Sequence, residues 1–231
     1  MESDRVRAIE NQSRPQLEIT ELLQTRAHEI GALAFALTGS TARAQRTKIS
    51  DLDYHVIGPR PPHSDLPDDV DVYATDEVGM WRKLNQGDDF IQWTLRYGCV
   101  LFDTGVFQAA MQRMSNAGLW PTSDQKFSRL DGHIRLARRL IAMGDRDAAQ
   151  DQVRATLTSL ARALLLQARV FPRARFELPL QLHEIGAGEL GSTLLETICE
   201  EPELNALGRA LDLAASLVPE KPADSPLRSA G

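Results

Sequence analysis

Residues 36–57 read ALTGSTARAQRTKISDLDYHVI, and this stretch decides how the chain folds. An apolar run ends in Leu37-Thr38-Gly39-Ser40, ten residues follow, and Asp51-Leu52-Asp53 then opens a second apolar segment. Ala32 to Leu37 has strand length and no polar residue, as expected for a strand buried on both faces. Gly39-Ser40 breaks it, and Thr41 to Lys48 reads as a short helix. Leu52, Tyr54, Val56 and Ile57 make the second strand. Asp51 and Asp53, two positions apart on that strand, point to one face a few ångströms from each other. Like charges so close are costly unless something positive lies between them. A hard divalent cation that also carries a nucleotide's phosphates meets that need, which is the arrangement phosphoryl and nucleotidyl transfer require.

Upstream, residues 1–15 are polar and read as a frayed leader, and Leu17 to Ile30 has helical periodicity up to Gly31. Downstream, Pro59, Pro61, Pro62 and Pro67 mark a rigid exposed loop. A third strand is expected at Asp69 to Ala74, with Val70 and Val72 on one face and Asp69, Asp71 and Tyr73 on the other. Asp76 and Asp88 stand where N-caps would stand for helices at 77–86 and 89–97. Gly98 ends the second of these, Cys99 to Phe102 is a short strand, and a helix at about 104–115 leads to a boundary near Gly118 and Pro121. From Asp124 the pattern is helical throughout: Phe127, Leu130, Ile134 and Ile141, then Val153, Leu157, Leu160 and Leu164. Phe171 to Pro179 is expected to be a connecting loop, and two further helices fit at 189–200 and 202–217. Pro219 to Gly231, rich in Pro, Ser and Ala, reads as a disordered tail. The expected fold is therefore α+β: a small mixed sheet with helices over 15–118, then a helical bundle over 122–218.

The 231 residues suffice for a real core, and the formal net charge of −6 gives no overall attraction to nucleic acid or to an anionic membrane. Cys99 and Cys199 are the only cysteines, without a CxxC or His at metal spacing, so neither a disulfide framework nor a zinc site is suggested. No segment reads as a signal peptide or a membrane span, and a cytoplasmic location without a membrane partner is expected.

The strand, Gly39-Ser40, spacer and Asp51-Leu52-Asp53-Tyr54 pattern resembles the signature of the nucleotidyltransferase superfamily that includes the kanamycin-type enzymes, DNA polymerase beta and the minimal nucleotidyltransferases. Val70-Asp71-Val72-Tyr73 resembles its third-carboxylate strand. Phe90 to Asp103 (FIQWTLRYGCVLFD) is similar to the helix–Gly–strand unit that closes many bacterial members. The likeness spans about residues 15–116, and the helical remainder looks like the substrate-binding bundle often fused to this domain. The resemblance implies two Mg²⁺ ions on Asp51, Asp53 and Asp71, with a nucleoside triphosphate, ATP by expectation, held at Gly39, Ser40 and Arg43. An acceptor hydroxyl would then attack the α-phosphate and release pyrophosphate. Gly39 would let the backbone approach a phosphate, and Ser40 would supply a hydroxyl and an N–H at a helix start. Ala44 stands where relatives often carry Gly, a departure a helix would tolerate.

Some assignments stay open. Asp69 shares parity with Asp71, although Asp71 fits the Val-Asp-apolar-apolar pattern better. Arg43 either reaches a phosphate or balances the acidic site, while Arg46 and Lys48 read as solvated. His55 falls on the carboxylates' face, where a structural role outweighs nucleotide contact. Trp81, Trp93 and Trp120 read as packing residues. Asp124 and Asp131 are candidates for a general base, with an N-cap the better role for Asp124. Ten arginines fall within residues 124–176; if several converge, an anionic acceptor such as RNA or an acidic protein surface is favoured over a polycation. The Arg-x4–6-His motif of HEPN-type ribonucleases is absent. The acceptor (small molecule, RNA or protein) is not legible, and some relatives build their cleft across a homodimer. The competing reading is a nucleotide-binding or protein-interaction module, regulatory or antitoxin-like, with weak or no transfer.

Overall fold

The computed structural model describes residues 12–46 and 50–219. The leader up to residue 11, Lys48 and nearly all of the C-terminal tail lie outside them. The chain divides into two units, one of residues 1–122 with 173–175, the other of residues 123–172 with 176–231.

The first unit is built on a four-stranded mixed sheet of order β3-β2-β1-β4. The strands are β1 (Ala34–Leu37), β2 (Leu52–Ile57), β3 (Val70–Thr75) and β4 (Cys99–Asp103). β1 runs antiparallel to both β2 and β4, and β2 runs parallel to β3. All four β1 residues are fully buried, because strands flank it and helices cover both faces. On one face α1 (Arg14–Glu29) covers the ring stack of Phe35, Tyr54 and Phe102. Its start lies within the expected leader: Ser13 and Gln16 form a capping box, and Pro15 occupies the first turn, where no N–H is missed. The Thr20 hydroxyl joins Tyr54 Oη (2.7 Å), Gln12 Oε1 (3.0 Å) and the Gln16 carbonyl (2.8 Å), a buried polar chain that fixes α1 on the sheet.

The other face carries Ala34, Ala36 and Ile57, which pack with Met80, Leu84, Ile91, Leu95, Phe107 and Ala110. These come from α3 (Glu77–Asn85), α4 (Asp89–Tyr97) and α5 (Val106–Asn116). Asp76 and Asp88 cap α3 and α4 as their positions predict, accepting from Gly79 N at 2.7 Å and Ile91 N at 3.0 Å. Asp103 does the same for α5 from the end of β4, accepting from the N–H groups of Gly105, Phe107 and Gln108. Between β1 and β2 the expected eight-residue helix shrinks to a single turn, α2 (Gly39–Ala42). Ala44 ends it with φ +54°, a left-handed conformation in which the Cβ crowds the following carbonyl. A glycine there would be relaxed, so the departure at this position is not the mild one that a continuing helix would make it.

The second unit is all helical. α6 (Asp124–Met143) and α7 (Arg146–Gln167) meet at Gly144, whose φ of +75° makes the turn, and Asp145 caps α7. Ser123, not Asp124, occupies the cap position of α6. The expected loop after Phe171 instead holds a 3₁₀ turn (Arg175–Glu177) and α8 (Leu178–Glu184), with Pro179 in its first turn. α9 (Gly188–Cys199) and α10 (Leu204–Leu217) follow. Leu130, Ile134, Val153, Leu157, Leu160, Leu182, Leu194 and Leu211 form its core, each burial worth about 1.5–3 kcal/mol.

Two arginines of this unit are engaged in contacts between its helices. Arg138 pairs with exposed Asp212 on α10, and Arg154 Nε donates to the Thr197 carbonyl at 3.0 Å. Gln150 donates to the Glu200 carbonyl at 2.8 Å, so α7 satisfies carbonyls at the end of α9 that the helix itself leaves open. Among the described residues, no helix is long and apolar enough to cross a membrane.

Tyr54→Phe should cost about 1 kcal/mol of unfolding free energy, because Thr20 loses a buried partner while ring packing is kept. Urea denaturation at unchanged m-value measures it, and an unaltered midpoint would show that the hydroxyl does not hold α1.

Candidate active site

The site forms where β1 ends beside the start of β2. Thr38 N–H donates to the Asp53 carbonyl at 2.8 Å, which ties the turn to the acidic strand. Gly39 follows with φ +65°, and a Cβ built on it would lie 2.0 Å from Asp53 Oδ2. The space beside the Gly39 Cα is thus filled by the Asp53 carboxylate. Glycine is needed here twice over, for its backbone angle and for the room it leaves. The sequence reading gave that room to a phosphate.

Asp53 stands opposite Asp71 in the parallel β2–β3 register. Residues at adjacent strand positions on one face are about 5 Å apart, so the two carboxylates are near neighbours. Asp51, exposed just before β2, adds its charge from the same side. Burial first, then repulsion from Asp51 and Asp71, pushes the Asp53 carboxyl up to about 6, with Arg175 and Arg46 pulling weakly the other way. Arg175 belongs to the 173–175 segment that groups with this unit. A carboxyl pushed up by burial and by neighbouring carboxylates makes this cluster the candidate site of the unit.

The structure also separates Asp69 from Asp71. Asp69 takes Arg46 in an ion pair at 3.1 Å, while Asp71 lines a cavity of about 260 Å³ with Asp53. Arg46 is therefore not a solvated residue: its side chain is 18% exposed and its Nη1 is buried. Arg43 lies with its guanidinium 4.7 Å from the Tyr97 ring centre, a cation–π contact beside the turn. Ser40 is half-buried within α2. One turn sums few peptide dipoles, so any anion there would meet N–H groups more than a helix field.

His55, two residues beyond Asp53, is fully buried among Tyr73, Phe90 and Phe107, with Nδ1 3.1 Å from the Thr94 hydroxyl. Burial, and secondarily the charge of Lys83, lowers its pKa to about 3, so it stays neutral and structural. Trp93 is buried and Trp120 lies under the Arg96 guanidinium, both packing roles.

Sequence reasoning missed Arg60, Tyr73 and Phe90, which also line the cavity. Lys83 donates to the Tyr73 hydroxyl and lies 4.9 Å from its ring centre. Tyr73 was legible by parity with Asp71. Phe90 reaches the cavity only through the packing of α4. Among the described residues no three His, Cys, Asp or Glu side chains enclose a metal position by themselves. Asp53 and Asp71 offer hard-oxygen donors to the cavity they line.

No family model and no curated protein matches the chain. Among solved structures, the crystal structure of a nucleotidyltransferase-like protein from Exiguobacterium sibiricum is similar over 88% of this chain and 74% of its own, with 15% identity and a TM-score of 0.43. A likeness at that level carries no residue role across.

The folded-state pKa of Asp53 lies above its unfolded value, so its contribution favours folding below about pH 4 and is lost as pH rises through about 6. Asp53→Asn should therefore raise stability at pH 7.5–8 by ~1–3 kcal/mol, with the gain fading below pH 4. Thermal melts across that range test it, and a pH-independent change would reject the repulsion. Gly39→Ala should cost about 2–4 kcal/mol, partly recovered when Asp53 is also made Ala. A double-mutant cycle without coupling would show that the carboxylate does not fill that space.

Proposed function

We propose that this protein is a Mg²⁺-dependent nucleotidyltransferase that moves a nucleoside monophosphate, from ATP by preference, to an acceptor hydroxyl with release of pyrophosphate. One observation carries the reading: Asp53 is desolvated, faces Asp71 in register, feels Asp51, and opens onto a cavity of about 260 Å³. Desolvating Asp53 within reach of the charges of Asp51 and Asp71 costs the unit stability. Such an arrangement raises the energy of the free protein and lowers it once positive charge arrives.

The donor set suits Mg²⁺, which prefers carboxylate oxygen and takes only one or two protein carboxylates beside phosphate and water. Asp53 and Asp71 would hold the ions, with Asp51 at the exposed side. Held there, such ions would supply positive charge for the triphosphate and would lower the pKa of an attacking hydroxyl. Asp53 must be ionised to take part, so its protonation at low pH would compete with cation binding. The half-buried turn at Gly39-Ser40 fixes the Asp53 carboxylate from below, and Arg43, anchored on Tyr97, is near enough in sequence to steady that turn.

Thermal stability with each of the four ribonucleoside triphosphates, with and without Mg²⁺, is the first test. A Mg²⁺-dependent rise with one nucleotide, absent in Asp53→Asn/Asp71→Asn, is expected, since a ligand that binds only the folded state raises Tm. Turnover to pyrophosphate should fall by about 10²–10³ in either single variant, a size typical for loss of a group that stabilises transition-state charge. No rise with any nucleotide in the folded wild type would turn the reading toward an interaction module.

A further inference from the structure

Among the described residues that line the cavity, Arg60 alone is cationic. It is solvent-exposed and sits in Gly58-Pro59-Arg60-Pro61-Pro62, on the loop that carries the chain from β2 to β3. Three pyrrolidine rings fix φ on either side of it, and a residue that precedes proline is held out of the helical region, which includes Arg60 itself. The loop is also gripped from outside. Arg26 on α1 forks onto Asp65, with Nη1 at 2.8 Å and Nη2 at 2.7 Å, and Nη1 also donates to the Pro62 carbonyl at 2.8 Å. Isolated surface ion pairs contribute little to stability, but a bidentate fork with a third bond fixes geometry.

A loop that only joined two parallel strands would not need both devices. Together they fix the backbone that carries one cation at the rim of an acidic cavity. A triphosphate entering beside Asp53 and Asp71 brings further negative charge, and a planar guanidinium matches phosphate oxygens in a two-point contact. A mount already ordered before binding also lowers the entropy lost on binding.

We propose that Arg60 grips the phosphate chain of the nucleotide, as a positioning residue held ready by the Pro59–Pro62 strut and by Arg26. The proposal rests on the nucleotidyltransferase reading and adds to it the source of affinity for the polyphosphate.

Isothermal titration decides it, with three probes in Mg²⁺ buffer: the best-bound ribonucleoside triphosphate, inorganic tripolyphosphate, and the matching nucleoside. Arg60→Ala should weaken both polyphosphate probes by about 10–100-fold, the size of a lost charge-assisted contact, and leave the nucleoside unchanged. Arg60→Lys should recover part of the loss, because the charge returns without the fork. Arg26→Ala should give a smaller loss of the same pattern. Unchanged polyphosphate binding in Arg60→Ala, with binding abolished in Asp71→Asn, would overturn the role of Arg60 and leave the nucleotidyltransferase reading intact. An equal loss for the nucleoside would also overturn it, since Arg60 would then shape the cavity. If the folded wild type binds none of the triphosphates or tripolyphosphate, the reading and the proposal fall together.

Discussion

The first unit is organised around one expensive object, a carboxylate that its surroundings do not welcome. Asp53 is pressed against the bare Cα of Gly39 on one side and placed in register with Asp71 on the other. The first needs a left-handed backbone angle that only glycine adopts without strain, and the second costs free energy through repulsion. Both persist because the surrounding structure over-determines them. β1 is buried on all sides, the turn after it is tied to β2 through Thr38, and α1 is locked to the same strand through Tyr54 and Thr20. Two of the residues that hold Asp53 in place, Thr38 and Tyr54, also line the cavity it opens onto, so the same contacts that fix the carboxylate shape its pocket.

The two faces of β2 show how that division is made. Leu52, Tyr54 and Val56 bind the strand to the body of the unit, while Asp53 alternates to the opposite side. Farther along that side, His55 and Ile57 are already under helices. Only the first positions of the strand escape that cover, so the site sits at the strand's entry. The helices over the rest of the sheet keep water from the neutral imidazole and leave the carboxylates reachable.

Much of this was legible in the sequence because it is local. Asp76 and Asp88 read as caps from spacing alone, and Val70 and Val72 alternate with Asp69 and Asp71 as a half-buried strand must. What escaped depends on partners distant in sequence. Residues 41–48 have helix-forming composition, yet the turn stops at Ala42 because the chain must reverse toward β2. Arg46 looked solvated until the fold brought Asp69 to it. α8 was hidden by Pro172, Arg173 and Arg175 before it and by Pro179 in its own first turn. Gly39 was recognised as special, but a sequence cannot show that the group requiring its missing Cβ is Asp53, fourteen residues away.

The position of β3 has a consequence of another kind. It is the outer strand of the sheet, paired only with β2 among the described strands, and its free side offers unpaired backbone groups to any other extended chain. Such edges invite strand addition and aggregation, and charged side chains along them are a common defence. Asp69 and Asp71 lie at the start of this edge, exposed and of one sign, so a second copy of the strand laid alongside would meet like charge at its first step. The carboxylate that equips the cavity would also oppose a like-charged strand laid against the open side of the sheet.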